Sequence, residues 1–321
     1  MCHNLTQFFS LRKEVSMHSS IRDVVESLLV TRNILGIDRV AEGGSTIVYR
    51  VATPYQQYYL RVHPEVGGDF AAEAAVHQVL SGLGVKVPLV VLYAKHHPLI
   101  QRSLLLTTAI PGRAIGSTQP QDNVIAVVQA AGRELARIHQ VSVAHYGWIT
   151  QTQAEPLRLR AEYAQLAEWL HAHFTLPLEV FASHFLPASE GTALLQLLKT
   201  ACQLLNGEPA VVAHGDFDVT HIYFEREQFT GIIDFGEIRG THWLYDLAHF
   251  AIENHQLLPY LLQGYQTVRP VNGDDEQLLE LTALLIAARR AGRRVIQQRS
   301  VHPPDLDYIQ RLLPRLKNKF G

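Results

Sequence analysis

The sequence lacks any long hydrophobic run. No stretch of 18 apolar residues occurs among its 321 residues, although 47% of them are hydrophobic. A transmembrane helix needs about 20 such residues, so we expect no membrane partner. The N-terminal end has no apolar segment long enough for a secretory signal. We predict residues 1–19 to be a flexible leader, with translation starting at Met1 or Met17.

Cysteine and an excess of basic charge are also missing. The two cysteines, Cys2 and Cys202, provide no disulfide framework and fit a reducing cytoplasm. The 28 Lys and Arg residues face 30 Asp and Glu residues, for a net charge of -2. Nucleic-acid binding needs clustered basic residues, so we expect no nucleic-acid partner. The 17 histidines contain no HExxH pair, and surface positions are their expected location.

The P-loop signature GxxxxGK[ST] is absent as well. The sequence does contain a segment in which two short apolar runs each end in an acidic residue. Residues 211–213 precede His214-Gly215-Asp216, and residues 231–233 precede Asp234-Phe235-Gly236. A predicted hairpin joins the two runs and brings Asp216 and Asp234 to the same end of a small sheet. Such carboxylates suit a divalent cation and a general base.

The spacing in this segment matches a kinase catalytic loop. His-x-Asp, four residues, a polar side chain at His221 and then Asp-Phe-Gly follow the order HxDxxxxN and DFG. The His-Gly-Asp form resembles the aminoglycoside phosphotransferase family of small-molecule kinases. The resemblance implies an α+β, bilobal protein-kinase-like fold, with a small antiparallel N-terminal sheet plus helix and a larger, mostly helical C-terminal lobe. We expect a nucleotide-binding lobe at 20–107 and a catalytic, substrate-binding lobe at 108–321.

The N-terminal lobe supplies the expected phosphate contacts. Gly43, Gly44 and Ser45 lie between predicted strands, where backbone N–H groups can approach phosphate oxygens. A plain hairpin turn is the alternative. Arg61 occupies the position of the kinase β3 lysine, and Glu73 lies on the following predicted helix, where the resemblance implies an ion pair with Arg61. Predicted strands span 37–41, 46–52, 58–63, 90–93 and 103–107, and predicted helices span 20–34 and 70–80.

A hinge is expected where an apolar strand runs into Pro111-Gly112. The resemblance makes Thr107 the gatekeeper and implies that the backbone of Thr108, Ala109 and Ile110 meets the purine of the nucleotide. Backbone recognition leaves both ATP and GTP open as phosphoryl donors.

Helices are predicted in the C-terminal lobe at 122–140, 156–172, 189–205, 246–254, 257–267, 274–298 and 305–318. The loop at 173–188 is rich in Phe, Leu and Pro. The resemblance assigns the inserted helices at 156–172 and 189–205 to the acceptor wall. The apolar residues between them, Phe174, Leu176, Phe181, Phe185 and Leu186, favour a partly apolar acceptor. Eleven residues separate Asp234 from Asp246, too few for a protein-kinase activation segment. We therefore expect a small-molecule acceptor. His139 is expected to be structural, and the resemblance implies the same for Asp246.

The predicted chemistry is phosphoryl transfer. Asp216 accepts the proton of the acceptor hydroxyl, and His214 braces the catalytic loop. Asp234 and His221 are the predicted Mg²⁺ ligands, although imidazole is an unusual choice for this cation. The acceptor is an antibiotic, such as an aminoglycoside or macrolide, or a metabolic alcohol, amino alcohol or sugar derivative. A non-catalytic nucleotide-binding relative is the third alternative. We expect a cytoplasmic monomer or weak dimer.

Overall fold

A computed structural model describes residues 21–29, 33–40, 46–117, 124–154 and 157–320, without the side chains of 151–154 and 157. The predicted leader and the predicted phosphate-loop residues Gly43, Gly44 and Ser45 lie outside these residues. The chain divides into two compact units. Unit 1 holds the described residues up to Gly82 together with Pro88–Ile110, and unit 2 holds Leu83–Val87 and the described residues from Pro111 onward.

Unit 1 is built on an antiparallel sheet. Its strands are β1 (Gly36–Arg39), β2 (Ile47–Ala52), β3 (Gln57–Val62), β4 (Val90–His97) and β5 (Arg102–Thr108). They are ordered β1-β2-β3-β5-β4. Alternation explains β3, because Tyr58, Leu60 and Val62 are buried while the residues between them are more exposed. All five strands overlap the predicted ones, and β4 extends further than expected.

Two helices complete the described part of unit 1. Helix α1 covers residues 21–28, and its apolar residues Ile21, Val24 and Val25 pack into the core of the sheet. Their spacing of three and four places them on one face of the helix. Helix α2 (Ala71–Gly82) buries Glu73 and His77 together with its apolar residues. A buried carboxylate requires a partner, which is described below.

The strands of unit 2 form two small sheets. They are β6 (Arg113–Ala114), β7 (Tyr146–Ala154), β8 (Leu157–Tyr163), β9 (Val211–Ala213), β10 (Ile222–Glu225), β11 (Gln228–Ile232) and β12 (Arg239–Thr241). The sheet orders are β11-β10-β6 and β8-β7-β12-β9. Strands β9 and β12 are antiparallel neighbours, with Ala213 opposite Arg239. This pairing joins the residues that precede His214 to those that follow the Asp-Phe-Gly sequence.

Helices make up most of the described part of unit 2. They are α3 (Ile125–Ile138), α4 (Leu166–Phe185), α5 (Ala188–Leu204), α6 (Leu244–Asn254), α7 (Leu258–Gln266), α8 (Gly273–Ile296) and α9 (Pro303–Phe320). Helix α8 begins at a capping box on Asn272 and buries half of its residues. Helices α3 and α7 cross closely, because a Cβ at Gly264 would lie 1.8 Å from the carbonyl oxygen of Gln129. Among the described helices, none is long and apolar enough to cross a membrane.

One region differs from the prediction. The helix expected at 156–172 is confirmed only from Leu166, because Leu157–Tyr163 forms β8, and the loop expected at 173–188 was wrong, because α4 runs from Leu166 to Phe185. Leu159 and Ala161 are buried between exposed neighbours, a period of two that indicates a strand. In α4, Phe174, Leu178 and Phe181 form a buried stripe at helical spacing. The Phe, Leu and Pro content that suggested a loop therefore belongs to a core helix.

Candidate active site

The predicted catalytic loop has a glycine, Gly215, at a position that leaves no room for a side chain. Gly215 has a φ of +88°, and a Cβ built on it would lie 1.9 Å from the carbonyl oxygen of Glu237 and 2.7 Å from Nε of Arg239. A larger residue would be strained by its backbone angle and would collide with backbone. The close approach accounts for glycine between His214 and Asp216.

Asp246 holds this loop through hydrogen bonds to its backbone. Its side chain is fully buried, and its two oxygens accept hydrogen bonds from the backbone N–H of His214 at 2.7 Å and of Gly215 at 2.8 Å. His139 Nε2 donates a third bond at 3.0 Å, and Tyr265 OH lies 2.8 Å from His139 Nδ1. Burial alone would raise the pKa of Asp246, but these donors outweigh burial and lower it. The carboxylate is therefore an anion that fixes the loop backbone.

The His214 ring contacts backbone atoms on both sides of the loop, and its Nδ1 lies 3.4 Å from the backbone N of Asp216. The ring is fully buried, and its Nε2 donates to the carbonyl oxygen of Ile233 at 2.8 Å. This bond ties the loop to the residue that precedes Asp234. Burial lowers the pKa of His214, followed by the nearby charge of His221. The neutral imidazole is consistent with the predicted bracing role, which remains a prediction.

Asp216 presents an ionised carboxylate that reaches solvent. Its side chain is 47% exposed, and Oδ1 lies 3.2 Å from Nε2 of His249. The hydrogen bond from His249 lowers the pKa of Asp216 well below its usual range, against the opposing effect of burial. An anionic, accessible carboxylate can accept the proton of a hydroxyl group.

His221 connects Asp216 to Asp234. Its Nδ1 donates to the backbone carbonyl of Asp216 at 2.7 Å, and its Nε2 lies 3.7 Å from Oδ2 of Asp234. With the proton on Nδ1, Nε2 offers a lone pair toward a carboxylate. Two acceptor atoms that face each other without a proton between them suit a shared cation. The structure thus brings together the two predicted metal ligands.

The Asp-Phe-Gly turn projects Asp234 from the core. Asp234 has a left-handed backbone with φ of 65°, a conformation that aspartate tolerates better than most residues. The next residue, Phe235, is fully buried against the His214 ring, with centroids 4.8 Å apart. Glu237 is held by Arg239, whose Nη2 lies 2.8 Å from Oε2 of Glu237. The packed phenylalanine fixes the turn and leaves the Asp234 side chain 54% exposed.

In unit 1 the structure brings Arg61 and Glu73 together as an ion pair. The side chains are 13% and 8% exposed. A second nitrogen of Arg61 lies 3.4 Å from Oγ1 of Thr46, and the guanidinium lies over the ring of Phe70. Breaking a pair this deeply buried leaves an uncompensated charge. The geometry matches the predicted pair, while the role of the pair toward phosphate stays a prediction.

The predicted hinge offers fewer free donors than expected. The N–H of Thr108 donates to the carbonyl of Leu89 at 2.9 Å, and the N–H of Ala109 donates to the carbonyl of Gln57 at 3.0 Å. Within the described residues, the N–H of Ile110 has no such partner. Of the three predicted residues, Ile110 is therefore the one with an available N–H donor.

His249 is the residue that sequence reasoning missed. It follows Asp246 by three positions on α6, so both side chains lie on the same helix face. Because Asp246 contacts the loop, that spacing could have indicated that His249 also reaches it. Arg239 was missed as well. Its side chain is 4% exposed, and it contacts Glu237, Tyr245 and the ring of Trp148.

The apolar stretch expected near the acceptor is only partly core. Phe174 and Phe181 are each 1% exposed, while Leu176 and Phe185 are 60% and 47% exposed and Leu186 is half-buried. The two buried phenylalanines cannot line a pocket, so the expectation of an apolar acceptor keeps three of its five residues. Glu168 caps α4 by accepting from the N–H of Gln165.

Comparison with known proteins gives a family and a fold. The model of the phosphotransferase enzyme family matches residues 36–298. No curated relative matches the sequence significantly. A ternary complex of a thermostable aminoglycoside phosphotransferase APH(4)-Ia mutant with AMP-PNP and hygromycin B aligns with a TM-score of 0.61 at 12% identity, covering 92% of this chain and 96% of that one.

Two further solved structures are similar. A putative aminoglycoside phosphotransferase from Ralstonia eutropha aligns with a TM-score of 0.64 at 16% identity, covering 94% of this chain and 99% of that one. A putative fructosamine-3-kinase from Thermobifida fusca aligns with a TM-score of 0.60 at 16% identity, covering 88% and 97%. Identities this low establish the fold alone. They confirm the predicted kinase-like fold.

Proposed function

Because this chain belongs to the phosphotransferase enzyme family, we propose that it transfers the γ-phosphoryl group of ATP or GTP to a hydroxyl of a small molecule. Family membership confirms the expectation of a small-molecule phosphotransferase. The observation that carries the proposed site is the bridge made by His221, which bonds the backbone of Asp216 and faces Asp234 at 3.7 Å. This bridge supports a base and a cation site acting on one transferred group.

Asp216 is the proposed base. In the reaction, the acceptor oxygen forms a bond to the γ-phosphorus, the bond from that phosphorus to the β-γ bridging oxygen breaks, and a nucleoside diphosphate leaves. The proton of the acceptor hydroxyl goes to the Asp216 carboxylate. Because its pKa is held low, Asp216 orients the hydroxyl throughout and takes the proton late. A loose transition state requires little early proton removal.

Asp234 and His221 are the proposed holders of Mg²⁺. Their facing acceptor atoms and the Nδ1–H donation of His221 fit a cation, although oxygen is the ligand that Mg²⁺ prefers. When bound, the cation would neutralise charge on the nucleotide phosphates. Asp234 supplies the anionic oxygen, and the bond from His221 to Asp216 keeps the imidazole oriented.

Unit 1 is the proposed nucleotide-binding part. Arg61, oriented by Glu73, offers permanent positive charge for phosphate oxygens. Gly43, Gly44 and Ser45, outside the described residues, remain the proposed phosphate loop. The free N–H of Ile110 is the proposed donor to the purine, with Thr108 and Ala109 shaping the hinge through bonds already made. The AMP-PNP complex of the APH(4)-Ia relative supports a nucleotide as donor.

Two acceptor classes stand side by side. The similar structures are antibiotic kinases and fructosamine kinases, so both an aminoglycoside or macrolide and an amino-sugar or amino-alcohol metabolite belong in the first trial. The charge balance of the sequence and its two cysteines favour a cytoplasmic enzyme without a nucleic-acid partner. A monomer or weak dimer remains the proposed state.

The decisive experiment measures consumption of ATP and GTP with Mg²⁺ against a panel of antibiotics, fructosamines, amino alcohols and sugars. We expect one class to stimulate turnover and the Asp216→Asn variant to lose on the order of 10²-fold or more of it. Nucleotide binding without turnover by any acceptor or by water would favour the non-catalytic alternative. Wild-type rates in Asp216→Asn would remove Asp216 from the reaction.

A further inference from the structure

His249 contacts the proposed base directly, although the mechanism above does not use it. Its Nε2 lies 3.2 Å from Oδ1 of Asp216, and its side chain is 7% exposed. The carboxylate oxygen can only accept, so the contact requires a proton on Nε2. The other ring nitrogen lies 3.4 Å from the carbonyl oxygen of Phe217. The imidazole thus lies against two acceptors of the same loop.

A charged side chain packs against the same ring nitrogen of His249. Arg290, on α8, places Nη1 3.5 Å from Nε2 of His249. Because Nε2 already carries its proton toward Asp216, both atoms are donors and the contact is packing rather than a hydrogen bond. Its Nε lies 3.2 Å from Oδ1 of Asp305, and its Nη2 pairs with Glu253. Asp305, on α9, is fully buried, and no hydrogen bond from another described residue satisfies its carboxylate. Arg290 is therefore held by two carboxylates while it approaches the histidine.

The same contacts explain an acidic group that could be mistaken for a metal site. Among the described residues, Glu253, His302 and Asp305 are near enough to share an ion. Arg290 already supplies positive charge to both carboxylates. A divalent cation would have to displace or repel this guanidinium, so the group serves Arg290.

We propose that His249 is a positioning residue for Asp216, resting on the proposed function above. By holding Oδ1, His249 limits rotation of the carboxylate and leaves the second oxygen for the acceptor hydroxyl. Arg290, fixed by Glu253 and Asp305, occupies the space beside Nε2 into which the imidazole could otherwise turn. Helices α8 and α9 thereby orient a base that lies on a loop distant in sequence.

The test uses two amides that differ in reach. His249→Gln places an amide N–H near the former Nε2, whereas the shorter side chain of His249→Asn ends near Nδ1 and cannot reach Asp216. The probe reaction is Mg²⁺-dependent release of ADP from ATP with water as acceptor, repeated with any acceptor found in the panel. A displaced base costs up to about 10²-fold in rate. We expect kcat to fall by about tenfold or more in His249→Asn, within that upper limit. In His249→Gln we expect most of the wild-type kcat to return.

The remaining readouts separate positioning from folding. The Kd for ATP and the acceptor KM should change little in both variants. The control His255→Asn, at an exposed position at the end of the same helix, should keep the wild-type kcat, Kd and KM. Equal rates in the two His249 variants, whether both low or both normal, would overturn the positioning role. If Asp216→Asn also keeps the wild-type rate, Asp216 is not the base and His249 has no base to position, whereas nucleotide binding without any turnover by the wild type would be the failure of the proposed function itself. A loss in Asp216→Asn alone refutes only the role of His249.

Discussion

The predicted catalytic loop and the residues that anchor it hold their carboxylates in opposite ways. The loop anchor consists of Asp246, His139 and Tyr265, and the tip of the loop consists of Asp216, His221 and Asp234. Asp246 is completely buried and accepts three hydrogen bonds. Asp216 and Asp234 are about half exposed, and each faces one histidine. Near the same loop, one carboxylate is saturated by protein donors and two keep free acceptor atoms.

The difference separates stability from chemistry. The donors around Asp246 come from backbone that folding must place anyway, so its charge stabilises one loop conformation. The oxygens at the tip are left for a cation and for an acceptor proton, which the protein does not itself supply. Substitutions in the loop anchor should therefore change the free energy of unfolding, and substitutions at the tip should change activity.

The largest expected effect comes from removing the carboxylate of the loop anchor. Asp246→Ala strips the N–H groups of His214 and Gly215 and the imidazole of His139 of their acceptor. We expect a loss of about 3–5 kcal/mol in the free energy of unfolding, measured by urea denaturation. Asp216→Ala is the matched control and should lose much less. Equal losses of unfolding free energy in the two variants would contradict the assignment of stability to the loop anchor and of activity to the tip.

A second expected effect is confined to the tip. Asp234→Asn removes the anionic oxygen of the proposed cation site while keeping the shape of the residue. We expect the Mg²⁺-dependent affinity for ATP to fall by at least about tenfold, because a direct ligand matters no less than its supports. Calorimetric titration of ATP with and without Mg²⁺ measures this. An unchanged Mg²⁺ dependence would exclude Asp234 as a ligand.

The carboxylate of Asp305, which holds Arg290, should make the free energy of unfolding depend on pH. Burial raises the pKa of Asp305 from 3.8 to about 6, against the opposing charge of Arg290. The folded protein then binds more protons than the unfolded chain between these values, so the contribution of Asp305 to stability falls as pH rises through them. We expect the unfolding free energy of wild type relative to Asp305→Asn to decline over that range. A constant difference would show that the pKa is not raised.

The smallest expected effect concerns the choice of metal. His221→Asn replaces an imidazole by an amide, whose oxygen suits Mg²⁺ better. We expect the ratio of turnover with Mn²⁺ to turnover with Mg²⁺ to fall severalfold, with little change in stability. Thr220→Ala, at an exposed neighbouring position, is the control. A rise in the ratio would argue that His221 does not ligate the metal.

The fold was predictable where the sequence is periodic. The strands around Arg61 and the helix that carries Glu73 followed from apolar spacing and from the resemblance, and the structure pairs the two side chains. The region from Leu157 to Phe185 was mispredicted because composition was weighed above period. Leu159 and Ala161 alternate as in a strand, while Phe174 and Phe181 repeat as in a helix.

By itself, the sequence determined the segment that is proposed to react, since His214, Asp216, His221 and Asp234 are close along the chain and their order is legible. Only the tertiary structure decided what surrounds the base. His249, Arg290 and Asp305 come from three helices. The spacing of His249 from Asp246 hints at its contact with the loop, but the contacts of Arg290 and Asp305 arise only when separate helices pack together. The same packing engages the N–H groups of Thr108 and Ala109 and leaves that of Ile110 available. Buried polar groups take the donors that the fold brings near.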